Sequence, residues 1–414
     1  LTTVGAVGCV SSGTWTAWHA ADAELDATEE GLGGEASERS DAWTPLGTCA
    51  EIVGEVIARS PALAAPRERA RAALAEARAE GALPAPTLRA TVWDFPIGDP
   101  SLADREGMYM LGVAQELPPA GVLDGRARAA VQDAHESLAE LADVRRELGA
   151  EAGHACVDWA AAELRRGAIE RWRTLLERAA TVSRASFSAG GDALADVARI
   201  ERERAGAERS IRRVEGEAES ARESLRALLD LPPDVDLGPA PLLDASAPTL
   251  DPATLVRAAI ETRGSLAAAR ARVDGELARA EAADAAAAMP TFMIGGTYMQ
   301  TPSARPGMML EVGMTLPWLW SGEGDVARAA RAEAAAAEAD VHALERRVRV
   351  EVRRAVAAVA AVAGTLESLR SREAPATRRA LEAVAAAYGA GAGTLLDWLD
   401  AARAVRELDL EEAD

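Results

Sequence analysis

Two stretches of this chain are near copies of each other: Phe187-Ser-Ala-Gly-Gly-Asp-Ala-Leu-Ala-Asp-Val-Ala-Arg-Ile-Glu-Arg202 and Tyr388-Gly-Ala-Gly-Ala-Gly-Thr-Leu-Leu-Asp-Trp-Leu-Asp-Ala-Ala-Arg403. A constant offset of 201 residues puts Phe187 on Tyr388, Gly190 on Gly391, Leu194 on Leu395, Asp196 on Asp397 and Arg202 on Arg403. Each stretch reads as the end of one helix, a glycine turn and the start of another. An internal repeat constrains the fold more than composition does, because a doubled order of elements must be built from a doubled unit.

The repeat extends upstream. Leu63-Ala-Ala-Pro-Arg-Glu-Arg69 returns as Leu266-Ala-Ala-Ala-Arg-Ala-Arg272, and both head Ala-rich helical segments that stop at a proline, Pro84 or Pro290. A pair of alternating apolar runs follows in each half. The second run ends at Leu117-Pro118 or Leu316-Pro317 and leads through Gly125 or Gly324 into a long Ala/Arg/Glu-rich segment. The chain therefore reads as a leader and extended tether over 1–47, a first copy over 48–230, a Pro-rich connector over 231–250 and a second copy over 251–414. Each copy runs helix, strand, strand, long helix, turn, helix.

A formal charge of −21, with no Lys in the chain, argues against nucleic acid, which needs a basic face. The same charge suits a soluble exterior or a lumen that favours cations. No run of 18 apolar residues exists, so a membrane role must rest on strands. Near the N-terminus, Ala6-Val7-Gly8-Cys9-Val10-Ser11-Ser12 resembles the end of a bacterial lipoprotein signal with Cys9 as the modified residue, although Ala6 stands where that pattern usually has Leu. Cys49 and Cys156 are far apart and lack ligand spacing, which reads as buried or unpaired rather than bridged.

Residues 13–45 are acidic and without period, hence the tether. Ile52, Val56, Leu63, Ala70 and Leu74 make 46–82 helical. Strands are predicted over 87–96, 108–117, 291–300 and 308–316. The last is the cleanest, with Met308, Leu310, Val312, Met314 and Leu316 on an oily face and Met309, Glu311, Gly313 and Thr315 on the other. About ten alternating residues is what a bilayer-crossing strand needs. All eight Met fall in or beside these strands. Thioethers are soft-metal ligands, but methionine occurs on both faces and no His or Cys joins it, which favours lipid-facing and packing roles.

Residues 123–182 and 325–387 are helix-prone over roughly 60 residues, or about 90 Å at 1.5 Å per residue. In the second, Val341, Leu344, Val348, Val352, Val356, Val359, Val362, Leu366 and Leu369 make a narrow coiled-coil stripe, which Pro375 should kink. The return helices are predicted over 192–229 and 394–412, and Asp251-Pro252 is a sound helix start. Four strands in lipid cannot leave edges open. Two copies would close eight strands around a filled interior, whereas three would close twelve around a lumen.

The duplicated order, the Leu-Pro and glycine lead-in to each long helix, and the tips Phe187-x-x-Gly190-x-x-x-Leu194-x-Asp196 and Tyr388-x-x-Gly391-x-x-x-Leu395-x-Asp397-x-x-Asp400 resemble the TolC family of outer-membrane efflux proteins. The resemblance implies a mainly α fold with a membrane β-barrel contribution: internally duplicated long coiled-coil helices forming an α-barrel, plus four strands per chain of a trimeric twelve-stranded barrel. It also implies a homotrimer in outer-membrane lipid, extending into the periplasm. There it would meet a periplasmic adaptor (membrane fusion) protein and an inner-membrane pump such as a resistance-nodulation-division transporter. The tips would form an entrance that opens like an iris.

Carried residue by residue, Asp397 and Asp400 match the acidic positions ringing that entrance, and Asp196 with Tyr388 matches positions that help hold it shut. Asp397 and Asp196 could instead cap the helices after the glycines. Gly393 stands where some members carry a basic residue able to bridge the tips, so the latch is either looser here or made by Arg199 or Arg202. The scattered His19, His135, His154 and His342 and the lack of any triad, phosphate loop or paired-Cys motif argue against an enzyme, a metal centre or a cofactor. The functional expectation is a passive channel of a tripartite efflux system for small molecules or metal ions. The alternatives are the outer-membrane conduit of a type I protein secretion system and a soluble periplasmic coiled-coil scaffold, which would have no use for the strand pairs.

Overall fold

The computed structural model describes residues 10–33, 44–93, 107–188, 194–243, 250–301, 305–319 and 321–414, less the side chains of 29–33, 185–188 and 194. It divides into two units. The first is Leu1–Gly31, Leu63–Val144 and Ala258–Arg349, the second Leu32–Ala62, Arg145–Arg257 and Val350–Asp414. Each unit draws on both sequence copies.

The first unit holds the sheet, with β1 (Thr87–Trp93), β2 (Met108–Leu117), β3 (Phe292–Gln300) and β4 (Gly307–Met314) antiparallel in the order β1-β2-β3-β4. The register aligns Leu88, Val113, Gly296 and Leu310 on one rung, and Ala90, Leu111, Tyr298 and Met308 on another rung of the same face. Arg89, Gly112, Thr297 and Met309 share a rung of the opposite face. A Cβ at Gly112 would lie 2.5 Å from Thr297 Oγ1, so any other residue there would have to turn the Thr297 side chain aside. Among the described residues nothing covers the apolar face, with Leu88 71%, Leu310 83% and Val312 71% exposed.

Over 13–33 the chain is not the extended tether that the sequence suggests, because Ser12–Gly33 is a helix, α1; residues 34–43 of that stretch lie outside the described residues. Trp18, Ala21 and Leu25, three and four apart, make a buried stripe that the acidic composition hides. Trp18 Nε1 donates to Leu74 O at 2.9 Å in α3 (Ala64–Glu80), and the Arg78 guanidinium stands 4.8 Å from the indole centre. The start of α1 is pinned to the long helix α4 (Val122–Ser188): Ser11 N and Thr14 Oγ1 donate to Asp124 Oδ1 at 2.7 and 3.0 Å. Burial pushes the Asp124 carboxyl up, but these bonds outweigh it and hold it below its ordinary value. Helix α7 (Gly264–Ala288) meets α4 at a Gly125 to Ala282 contact too close for any Cβ on Gly125, with Arg128–Glu281 and Arg279–Asp133 pairs at 2.6 Å alongside.

In the second unit, Thr48 and Glu51 form a capping box that starts α2 (Cys49–Arg59). Val53 and Ile57 of α2 pack over Gly149 of α4, and this antiparallel contact brings Cys49 and Cys156 to a Cα separation of 5.8 Å, where they form a disulfide. The reading of two unbridged cysteines is therefore corrected. Their 107-residue separation said nothing about proximity once α2 folds back along α4.

Helix α5 (Leu194–Leu228) ends with Asp230 at φ 54°, Leu231 N donating to Arg226 O at 2.9 Å and Asp230 N to Ala227 O at 3.3 Å, a Schellman closure followed by Pro232 and Pro233. Arg226, buried, holds the following connector through Val235 O at 2.9 Å and pairs with Glu219 and Glu223 at 2.7 Å. Asp251 accepts from Ala253 N and Thr254 N to start α6 (Pro252–Thr262).

Helix α8 (Glu323–Ser368) passes through a π turn, Leu369–Glu373, into α9 (Ala374–Gly389). Pro375 has no N–H for the Ser371 carbonyl, and the strain is taken up by the wider turn in which Ala374 N donates to Leu369 O. The kink predicted at Pro375 is thus a π turn one step upstream. The two long helices are unequally covered. Trp159, Trp172 and Leu176 of α4 are at most 2% exposed, whereas Val359 and Val362 of the α8 stripe are 41% and 66% exposed. Helix α10 (Leu395–Ala413) completes the chain. Among the described residues, no helix is long and apolar enough to cross a membrane.

Candidate functional site

The second tip is the turn between α9 and α10. Gly391, at φ 75°, lies in the left-handed region that favours glycine. Gly391 N donates to Tyr388 O at 3.0 Å and Ala392 N to Ala387 O at 2.9 Å, closing α9 by the same Schellman pattern seen at Asp230. Thr394 caps α10: its Oγ1 accepts from Asp397 N at 3.2 Å and donates to Asp397 Oδ2 at 2.6 Å. Asp397 is thus not the cap itself but the acid three residues beyond it, tied to the capping hydroxyl.

Leu395, Trp398, Leu399 and Ala402, spaced three and four apart, are all buried, and Tyr388 packs its ring 6.4 Å from that of Trp398. This packing fixes the rotation of α10. Asp397 and Asp400 are exposed, off the buried stripe, and three residues apart, so they are neighbours on the helix surface. Asp400 Oδ1 accepts from Arg403 at 3.0 Å.

Of the first tip, Gly190 and the side chains of Phe187 and Leu194 lie outside the described residues, as does Cys9. Asp196, in the first turn of α5, pairs with Arg199 at 3.0 Å. Its charge also reaches Tyr388: burial first, and then Asp196, push the phenol above its ordinary value. Arg199 and Arg202 do not bridge the two tips in the contacts described, since Arg199 turns to Asp196 and Arg202 to the adjacent Glu203 at 3.3 Å.

The bridge is elsewhere. Arg403 of α10 donates to Glu203 of α5 at 2.8 Å, with Glu203 only 15% exposed. Burial raises the Glu203 carboxyl, but Arg403 and then Arg202 outweigh it and leave it below its ordinary value. Sequence reasoning singled out Arg202 and Arg403 as equivalent positions and missed Glu203, whose only sequence signal was its place one residue past the repeat. Further from the tip, Asp409 of α10 pairs with Arg171 of α4 at 3.0 Å and with Arg378 of α9 at 3.3 Å, and Glu412 pairs with Arg370 at 2.9 Å. The acidic end of α10 thus clamps both hairpins. Among the described residues, no group of His, Cys, Asp and Glu is arranged to hold a metal ion.

The model of the family described as outer membrane efflux protein matches residues 52–230 and 255–414. Among curated proteins, no sequence matches this chain. Solved structures do. The outer-membrane channel OprN is 22% identical with a TM-score of 0.73, over 98% of this chain and 89% of that one. The outer membrane protein VceC of Vibrio cholerae is 16% identical with a TM-score of 0.74, over 88% of this chain and 91% of that one. CusC, described for conformational changes accompanying folding and transmembrane channel formation, is 16% identical with a TM-score of 0.70, over 90% and 91%. At these identities the likeness speaks for the fold: long paired helices with a strand contribution.

Proposed function

Because this chain belongs to the outer membrane efflux protein family, the TolC family that its tips resemble, we propose that three copies form a passive outer-membrane channel serving an inner-membrane pump through a periplasmic adaptor. The observation that carries this reading is the sheet: four strands with one uncovered apolar face and two outer strands, β1 and β4, each paired on one side only. Such a sheet in lipid must close, and three copies supply the twelve strands of a barrel with room for a lumen. The exposed Val359 and Val362 of α8 suit a neighbouring copy on the helical part in the same way.

At the entrance, the exposed Asp397 and Asp400 of three copies ring the mouth with carboxylates, raising the local cation concentration and disfavouring anions. Asp196, Tyr388, Gly391 and Leu395, with Phe187 and Gly190 of the first tip, form the gate and adaptor contact, and Arg403 with Glu203 is its latch within the chain. Cys9, two residues before Ser11 in the sequence, serves as a lipid attachment point. The cargo is small molecules or metal ions.

Deletion in a host that retains the pump and adaptor tests the reading. Accumulation of the pump's small-molecule or metal cargo should rise, and return to normal on complementation. Unchanged accumulation together with loss of an exported protein would move the channel to protein secretion.

A further inference from the structure

The register of the sheet sorts the methionines in a way that the sequence does not. Of the seven within strands, Met308 and Met314 lie on the exposed apolar face, while Met108, Met110, Met293, Met299 and Met309 lie on the other. The two faces differ in what surrounds them. On the apolar face methionine is two side chains among Leu, Val, Ile, Tyr and Phe, and packing against lipid explains it. The other face carries Thr87, Arg89, Thr91, Glu116, Thr297 and Glu311 with several glycines and no Leu, Ile, Val or Phe. Trp93 apart, methionine is its only large apolar side chain. A demand for apolar filler does not select methionine alone from the aliphatic set.

The placement is also specific. Met110 and Met299 are cross-strand partners, and Met108, two residues before Met110, lies on the same face. Directly opposed residues hold their Cβ atoms about 5 Å apart, within reach of two flexible thioether arms converging on one ion. In the structure Met299 leans over Gly307 of β4, where a Cβ would lie 3.7 Å from its Cε, and Met293 over Gly313, so closing Met299 with Met110 on one ion takes a rotamer change that the unbranched thioether chain allows. Met293 stands opposite Glu116, a carboxylate able to balance a passing positive charge. Thioethers bind soft cations, need no deprotonation and stay neutral, which favours passage over storage.

Resting on the channel reading above, in which this face lines the lumen, we propose that the barrel wall is a conduit for soft monovalent cations, Cu(I) and Ag(I), with the opposed Met110 and Met299, flanked by Met108 and Met309, as its coordinating group. The cation-favouring entrance would feed it.

The test uses the assembled full-length protein in chloride-free detergent buffer, with Ag(I) as the probe, titrated calorimetrically. Three preparations with the same cysteines are compared: the unaltered protein, Met110→Leu with Met299→Leu, and Met308→Leu with Met314→Leu on the opposite face. Potassium conductance in planar bilayers is recorded for each. The proposal expects the Met110/Met299 variant to lose about tenfold or more in Ag(I) affinity, the Met308/Met314 variant to match the unaltered protein, and all three to conduct potassium equally. Should the Met110/Met299 variant fail to assemble, each single substitution is titrated instead. Equal Ag(I) binding in unaltered and Met110/Met299 proteins, or equal losses in both variants, overturns the soft-cation path and leaves the channel standing. Absence of potassium conductance in the unaltered protein contradicts the channel reading itself.

Discussion

Arg403 of α10 donates to Glu203 of α5 across 2.8 Å and reaches Asp400 with another nitrogen at 3.0 Å. One guanidinium thus ties an acid beside the second tip to the return helix of the first hairpin. Hydrogen bonds to charged groups contribute about 1.5 to 3 kcal/mol when their partners are partly buried. Arg403→Ala should therefore favour the open tip by about tenfold, read as higher single-channel potassium conductance or open probability in planar bilayers. Unchanged conductance would mean that the bridge does not latch the entrance.

The same pair gives a pH dependence with a fixed sign. Glu203 is held below its ordinary value of 4.5, so its contribution is present above about that pH and is lost as pH falls through the depressed value. Conductance should rise on acidification only below about pH 4.5, and Glu203→Gln should be open at neutral pH and lack that rise. A transition centred near pH 6.5 would point to a histidine instead.

Asp397→Ala combined with Asp400→Ala removes every exposed carboxylate that α10 contributes to its first two turns. Reversal potentials under a salt gradient should lose most of their cation preference, while the assembly keeps its mass. Retained selectivity would place the filter elsewhere.

The disulfide closes a 107-residue span, which in the chain-entropy account is worth about 4 to 5 kcal/mol. Cys156→Ser, or the reduced protein, should unfold at a clearly lower denaturant concentration. An unchanged midpoint would show that the packing of α2 on α4 suffices alone.

Leu310 is 83% exposed on the apolar face, and Glu311 beside it points the other way. Leu310→Arg at mid-strand should cost about 2 to 4 kcal/mol per chain in lipid and deplete assembled protein from the membrane. Glu311→Arg should assemble normally and weaken cation preference. Equal tolerance of both would contradict the assignment of faces.

Much of this was legible in the residues. The repeat marked the turn between α9 and α10, alternation located all four strands, and the helix-prone runs from 123 and 325 began within two residues of α4 and α8. Long-range proximity was not. The Cys49–Cys156 bond and the Glu203–Arg403 bridge depend on which helix lies beside which, and no local pattern carries that. Helix α1 was hidden because its buried stripe of Trp18, Ala21 and Leu25 is thin and its surface acidic. In the sequence the methionines could be read only as lying on both faces, because strand alternation gives each face only within one strand. Relating the faces of four strands requires the register.

The central claim is that copies of this chain close around a hollow axis in the outer membrane. Mass measurement of the detergent-extracted complex, with conductance recorded on the same preparation, tests it most directly. The account predicts three times the 43.2 kDa chain mass and discrete channel openings, and a single chain or an assembly that passes no current would contradict it.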